Sequence, residues 1–175
     1  MGQLFEKDHD NENALKMYLR AVELNKQSPI AHYRTGMIYI KNGDKGRGIE
    51  HLKKALSFDP NNVDVLAKLG EVLMKDPNTF DESEQYFKKA LYNDENNSDS
   101  LVGMGRIFEK RNRLEQAIAC FEKAIKQPVT NVNAYYHLGV IHEKQKDYKK
   151  AIQLFKQCLI VDQVHFAACI HLATL

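Results

Sequence analysis

His165 and Cys169 stand four residues apart and His137 and His142 five apart, and these are the residue types that hold zinc or a similar divalent ion. A site needs three or four such ligands converging. A spacing of five diverges around a helix, and no carboxylate completes either pair. Core packing is therefore expected for Cys158 and Cys169, with no metal or other cofactor. Gly43-Asp44-Lys45-Gly46-Arg47-Gly48 is the one glycine-rich stretch and is basic enough to suggest a phosphate cradle. It follows a helical pattern rather than a strand and lacks the spacing of either nucleotide loop, so it reads as a turn between helices. No nucleophile stands beside a base, and no two carboxylates share a helical face in an identifiable pocket. The chain is expected not to be an enzyme.

Bulk properties narrow the partner. The 175 residues are 43% apolar, enough for a core in one domain or one repeat array. A net charge of +2 gives no reason to expect nucleic acid or a membrane surface as partner. The opening MGQLFEKDHDNENALK has no basic head followed by an apolar run, and no stretch approaches a membrane span, so a soluble protein is expected. Cys120, Cys158 and Cys169 suit free thiols in a reducing compartment, which points to the cytoplasm. The sequon Asn96-Asn97-Ser98 is discounted because no secretory signal is read in the sequence.

The elements that position these residues repeat. Gly2, Gly36, Gly70, Gly105 and Gly139 are 34, 34, 35 and 34 residues apart. Behind each comes a small residue (Ala14, Gly48, Ser83, Ala117, Ala151). Four further on is a large one (Tyr18, Leu52, Phe87, Phe121, Phe155), and then Ala21, Ala55, Ala90, Ala124 or Cys158. Leu101, Met104, Gly105 and Phe108 recur at helical spacing, as do Ala117, Phe121 and Ala124. Each copy therefore reads as two short amphipathic helices. Small residues mark where axes approach, and large ones fill the space beside them. Asp10, Asp44, Thr79 and Asp147 are placed to cap second helices, with Thr79 and Glu82 as a capping box, while the fourth copy has Arg113 there. The third copy carries one extra residue around Lys75-Asp76-Pro77-Asn78, in the turn between its helices.

These columns resemble the tetratricopeptide repeat family. Leu66-x-x-Leu69-Gly70-x-x-Leu73, Leu101-x-x-Met104-Gly105-x-x-Phe108 and Tyr135-x-x-Leu138-Gly139-x-x-His142 carry the first part of its signature; Ala117-x-x-x-Phe121 and Ala151-x-x-x-Phe155 carry the second. The departures are the missing tryptophan, His142 in an aromatic column, Cys158 in an alanine column, and only Pro60 at the expected proline place. The resemblance implies an all-α fold: an α-solenoid of stacked helix-turn-helix repeats in a right-handed superhelix. A single array over 1–175 is expected, with a partial first repeat at 1–28, then 29–62, 63–97, 98–131 and 132–165, and the start of a sixth at 166–175. In register, Met1 falls in the middle of a first helix and Leu175 inside another, so the sequence is read as an excerpt of a longer protein. Val164, Phe166, Ile170 and Leu172, with no second helix behind them, invite self-association through the terminal helices.

The family presents its first helices on a concave surface that holds peptides or partner helices. Carried over to this chain, the resemblance implies a groove of Tyr33, Met37, Ile40 and Lys41; Ala67, Glu71, Met74 and Lys75; Val102, Arg106, Glu109 and Lys110; and Tyr136, Val140, Glu143 and Lys144. Some of these are expected only to finish the packing between helices. Lys7, Lys41, Lys75, Lys110 and Lys144 form a column, either a basic ladder for an acidic segment or compensation of helix dipoles. The clamp by which some relatives hold acidic chaperone tails is absent: the best frames give Tyr33, Met37, Lys68, Asp99, Gly103 or Ala67, Glu71, Gly103, Asn133, His137. The expected function is a non-catalytic scaffold binding a peptide or amphipathic helix of another protein. The alternative is a substrate-recruiting or oligomerising arm of a larger enzyme or assembly, and RNA recognition is disfavoured by the small net charge.

Overall fold

A computed structural model describes residues 10–128 and 131–175, and among these there are ten α-helices and no strand. The architecture is all-α, in the element order of an α-solenoid. Gly2 and Lys7 lie outside the described residues. The chain divides into two compact units, one through Asn93 and one from Asp94.

The first unit holds α1 (Asn11–Leu24), α2 (Pro29–Lys41), α3 (Lys45–Phe58), α4 (Val63–Leu73) and α5 (Phe80–Asn93), with a 3-10 turn at Pro77–Thr79. Hairpins α2–α3 and α4–α5 form because each pair has an apolar face and a short turn, and α1 packs on α2 as α3 does on α4. Leu52, Ala55, Val65, Leu69 and Leu73 make the core. The second unit holds α6 (Ser98–Lys110), α7 (Leu114–Ile125), α8 (Val132–Lys144), α9 (Tyr148–Val161) and α10 (Phe166–Thr174). Here α6 pairs with α7 and α8 with α9, while α7 packs on α8 and α9 on α10. Ala151, Phe155, Cys158 and Ala168 form one of its core clusters.

Glycine sets the distance within each hairpin. A Cβ on Gly139 would stand 2.6 Å from the Phe155 ring, and one on Gly105 would stand 2.5 Å from Phe121. In the second repeat, where Leu52 replaces the phenylalanine, a Cβ on Gly36 would meet the Gly48 carbonyl at 2.9 Å. A phenylalanine ring against bare backbone is thus the packing rule at Gly70, Gly105 and Gly139, and backbone against backbone at Gly36.

Caps fix where the helices start. Asp10, Asp44 and Asp147 accept from the backbone N–H of Asn13, Arg47 and Lys150, while Arg113 makes no side-chain cap. Ser28, Asn62, Asn97 and Asn131 do the same for first helices, accepting from Ala31, Val65, Ser100 and Asn133. Thr79 departs from expectation. Its hydroxyl donates to the carbonyls of Leu73 (2.7 Å) and Asp76, and Glu82 pairs with Lys53 at 2.9 Å, so there is no capping box. The reason is Pro77. The other three turns place Gly43, Asn112 or Lys146 at positive φ, seven residues after the repeat glycine. Proline cannot adopt that conformation. The extra residue and the 3-10 turn replace the left-handed turn, and Thr79 is spent closing it.

Candidate functional site

In the first unit Met37, Ile40 and Lys41 line an open depression of about 440 Å³ together with Arg34, Ile38 and Lys68. Helix α2 supplies them because Pro29 and the Ser28 cap start it in register, leaving Met37 and Ile40 half-buried beside the apolar side that goes to the core. Tyr33 and Ile40 also pack against the Leu52 core cluster. Lys68 is tied to Glu71 at 2.7 Å, and Glu71 also draws Lys75 to 3.8 Å. The depression is an apolar floor with a cationic rim.

Met74 belongs elsewhere. It is 2% exposed, beneath the surface with Ala67 and Leu73. It is the C-cap of α4, just ahead of the Pro77 turn. Val102 is likewise buried.

In the second unit, Arg106, Lys110, Tyr136, Val140 and Lys144 fall on α6 and α8. Tyr136 and Val140 pack against the Phe155 cluster with part of their surface outward. Arg106 is half-buried and forms no ion pair among the described residues. Glu109 is already engaged: it accepts from His137 Nδ1 at 3.2 Å and from Lys144 Nζ at 3.0 Å. The His137 bond, with Lys144 behind it, holds the Glu109 carboxyl below its usual value against the effect of burial. Burial pushes the Tyr136 phenol up.

Sequence reasoning missed the arrangement around Glu109, and it occurs twice. His171 Nδ1 meets Glu143 at 2.6 Å, and its Nε2 faces the Tyr136 hydroxyl at 3.4 Å. His137 stacks on Phe121 and His171 on Phe155, with ring centroids 5.3 and 4.9 Å apart. Each acid and its histidine are 28 residues apart, so a glutamate four after one repeat glycine meets the histidine two before the next small residue of that column. The signal was legible in register, but only across repeats.

The lysine column divides. Lys41, Lys110 and Lys144 are exposed in the last turns of their helices, and Lys75 lies just past the end of α4. The first three stand where a cation is favoured by the helix C-terminus, and Lys144 is in addition paired with Glu109. Among the described residues neither His165 with Cys169 nor His137 with His142 is joined by a third ligand. His165 Nδ1 accepts from the Ala168 N–H as the cap of α10, Cys169 is exposed, and His142 is buried away from His137. Exposed Cys169 corrects the expectation of a core position, whereas Cys158 is fully buried. The difference is that α10 buries only Ala168. Among the described residues no three His, Cys, Asp or Glu side chains converge, and no helix is long and apolar enough to cross a membrane.

Two sequence profiles described as Tetratricopeptide repeat match residues 29–62 and 132–163, and one described as TPR repeat matches 105–146. The chain belongs to the tetratricopeptide repeat family. It is similar over 73 residues to the anaphase-promoting complex subunit CDC16 of Saccharomyces cerevisiae (32% identical; 42% of this chain, 9% of that protein). It is also similar to the BBSome complex member BBS4 of Bos taurus (26% identical over 73 residues; 42% of this chain, 14% of that protein). The matches thus span a small fraction of these curated relatives. Among solved structures, YrrB, described as a TPR protein with an unusual peptide-binding site, superposes with a TM-score of 0.68 at 24% identity, covering 99% of this chain and 89% of its own. That likeness is one of fold.

Proposed function

We propose that this tetratricopeptide chain is a non-catalytic scaffold whose first helices hold a peptide or amphipathic helix of another protein. The observation that carries the reading is the depression lined by Met37, Ile40, Lys41, Arg34 and Lys68. Its volume is in the range of side-chain and ligand pockets. Its apolar floor suits one anchoring side chain, and its cationic rim suits an acidic flank that sets register. In the second unit Arg106, half-buried and in no ion pair among the described residues, is the cation offered to a ligand, whereas Lys144 is already paired with Glu109. The peptide-binding description of YrrB supports the same reading by likeness of fold. Nucleic acid and membrane are not the partners proposed, and the cytoplasm is the proposed location.

The test is a combined Met37→Glu, Lys41→Glu and Arg106→Glu variant, chosen because these side chains are at least partly exposed. The proposal expects loss of co-purifying partner with an unchanged circular dichroism spectrum. Undiminished capture would remove the first-helix faces from consideration. A second reading, an arm of a larger assembly, draws on the printed descriptions of CDC16 and BBS4 as members of complexes. It expects the partner to be a stable stoichiometric subunit, which gel filtration of the purified complex separates from a transient ligand.

A further inference from the structure

Two local costs in stability, at Lys146 and Arg113, fall together in the second unit, beside an asparagine that takes the left-handed turn readily. Asn112 and Lys146 hold φ of 58° and 64° where the second repeat uses Gly43. Arg113 begins α7 without a side-chain cap where aspartates begin α1, α3 and α9. Such departures from local rules persist where something other than stability selects the residue. These two turns flank an open depression of about 550 Å³ lined by Asn112, Arg113, Leu114, Glu115, Gln116 and Gln145. Residues 110–116 and 144–150 hold seven lysines and arginines against two carboxylates, although the whole chain nets only +2. Lys144 is bound by Glu109, while Arg113, Lys146, Lys149 and Lys150 are exposed.

We infer that this turn edge, separate from the first-helix faces above, is a docking site for an acidic polypeptide segment. The cations attract and orient carboxylates. The amides of Asn112, Gln116 and Gln145 both donate and accept, as an extended peptide backbone requires. These amides, with Glu115 able to accept a backbone N–H, favour a peptide over a nucleic acid or a lipid headgroup, which would use the cations alone. Leu114 alone is too little apolar surface to anchor in a bilayer.

The test uses the full chain and a short fluorescein-labelled Glu-Ser repeat peptide, read by anisotropy at low salt. Lys146→Glu with Lys149→Glu and Lys150→Glu is expected to weaken binding about tenfold or more. Gln116→Ala with Gln145→Ala leaves the charge unchanged and is expected to weaken it about threefold. Lys89→Glu, an exposed lysine on α5 that lines neither depression, is expected to bind as the parent does. Circular dichroism checks that each variant is folded, and the glutamine pair serves if the triple reversal is not. Absence of binding by the parent overturns the inference. So does parent-like affinity of the glutamine pair, which would mean diffuse charge alone. Displacement of the peptide by an RNA oligonucleotide or a phosphatidylserine vesicle more effectively than by unlabelled peptide assigns the edge to that ligand instead and also overturns it.

Discussion

At the residue scale, the contact of phenylalanine with glycine is the most exacting feature of the chain. Gly139→Ala forces a methyl into the Phe155 ring, and overpacking of that kind costs about 1–3 kcal/mol. Urea denaturation should show the loss, and Phe155→Leu added to Gly139→Ala should cost less than the two changes summed, because the smaller side chain vacates the clash. A second prediction concerns His32 and His51, whose Nδ1 atoms lie 3.1 Å apart. His32 Nε2 is 3.0 Å from the Lys26 carbonyl and must donate to it, so its Nδ1 accepts and His51 Nδ1 donates. A further proton sets two donors against each other. Burial, reinforced by His32 and Lys54, holds His51 below the ordinary histidine value against the pull of Glu50, and burial lowers His142 as well. The unfolded chain therefore takes up protons first as pH falls. Stability should be full above about pH 6.5 and decline below it. Urea midpoints at neutral and mildly acid pH measure this, and His51→Phe should shrink the decline while His142 retains part of it. The glycine and phenylalanine columns were readable because their spacing lies within one repeat. The acid–histidine pairs and the burial of Met74 were not, because both depend on a neighbouring repeat or turn.

At the scale of elements, the turns decide more than the helices. Lys146→Gly removes a left-handed lysine and should raise stability by about 1 kcal/mol. Arg113→Asp restores a cap and should add about as much. Thermal melts check both, and both should weaken the acidic peptide if the turn edge is a docking site, so stability and binding would move in opposite directions. The absence of a cap at Arg113 was visible from residue type alone. The role of Pro77 was visible in principle, since a proline at a place that needs positive φ announces a different turn. It was missed because Thr79 with Glu82 fits the spacing of a capping box. The caps at Ser28, Asn62, Asn97 and Asn131 lie before first helices, outside the glycine, alanine and phenylalanine columns that mark the period.

At the scale of the molecule, contacts run mainly between helices adjacent in sequence, as the repeat period implies. Stability is then local, and hydrogen exchange should vary along the chain. Helix α4 buries Val65, Leu66, Ala67, Leu69, Gly70, Val72 and Leu73, whereas α10 buries only Ala168. Mass-spectrometric exchange should find α4 among the slowest segments and α10 the fastest helix; equal rates would contradict a stack of semi-independent hairpins. Membership of a scaffold family explains why the fold is so legible and the partner is not: the columns encode packing, while recognition resides in exposed residues that the period leaves unconstrained.

Burial also sorts the thiols. It pushes Cys158 up to about 11 and raises Cys120, while Cys169 stands exposed on α10. A maleimide dye at neutral pH should therefore land first on Cys169, giving the native chain a single optical reporter on its least protected helix without any engineered handle.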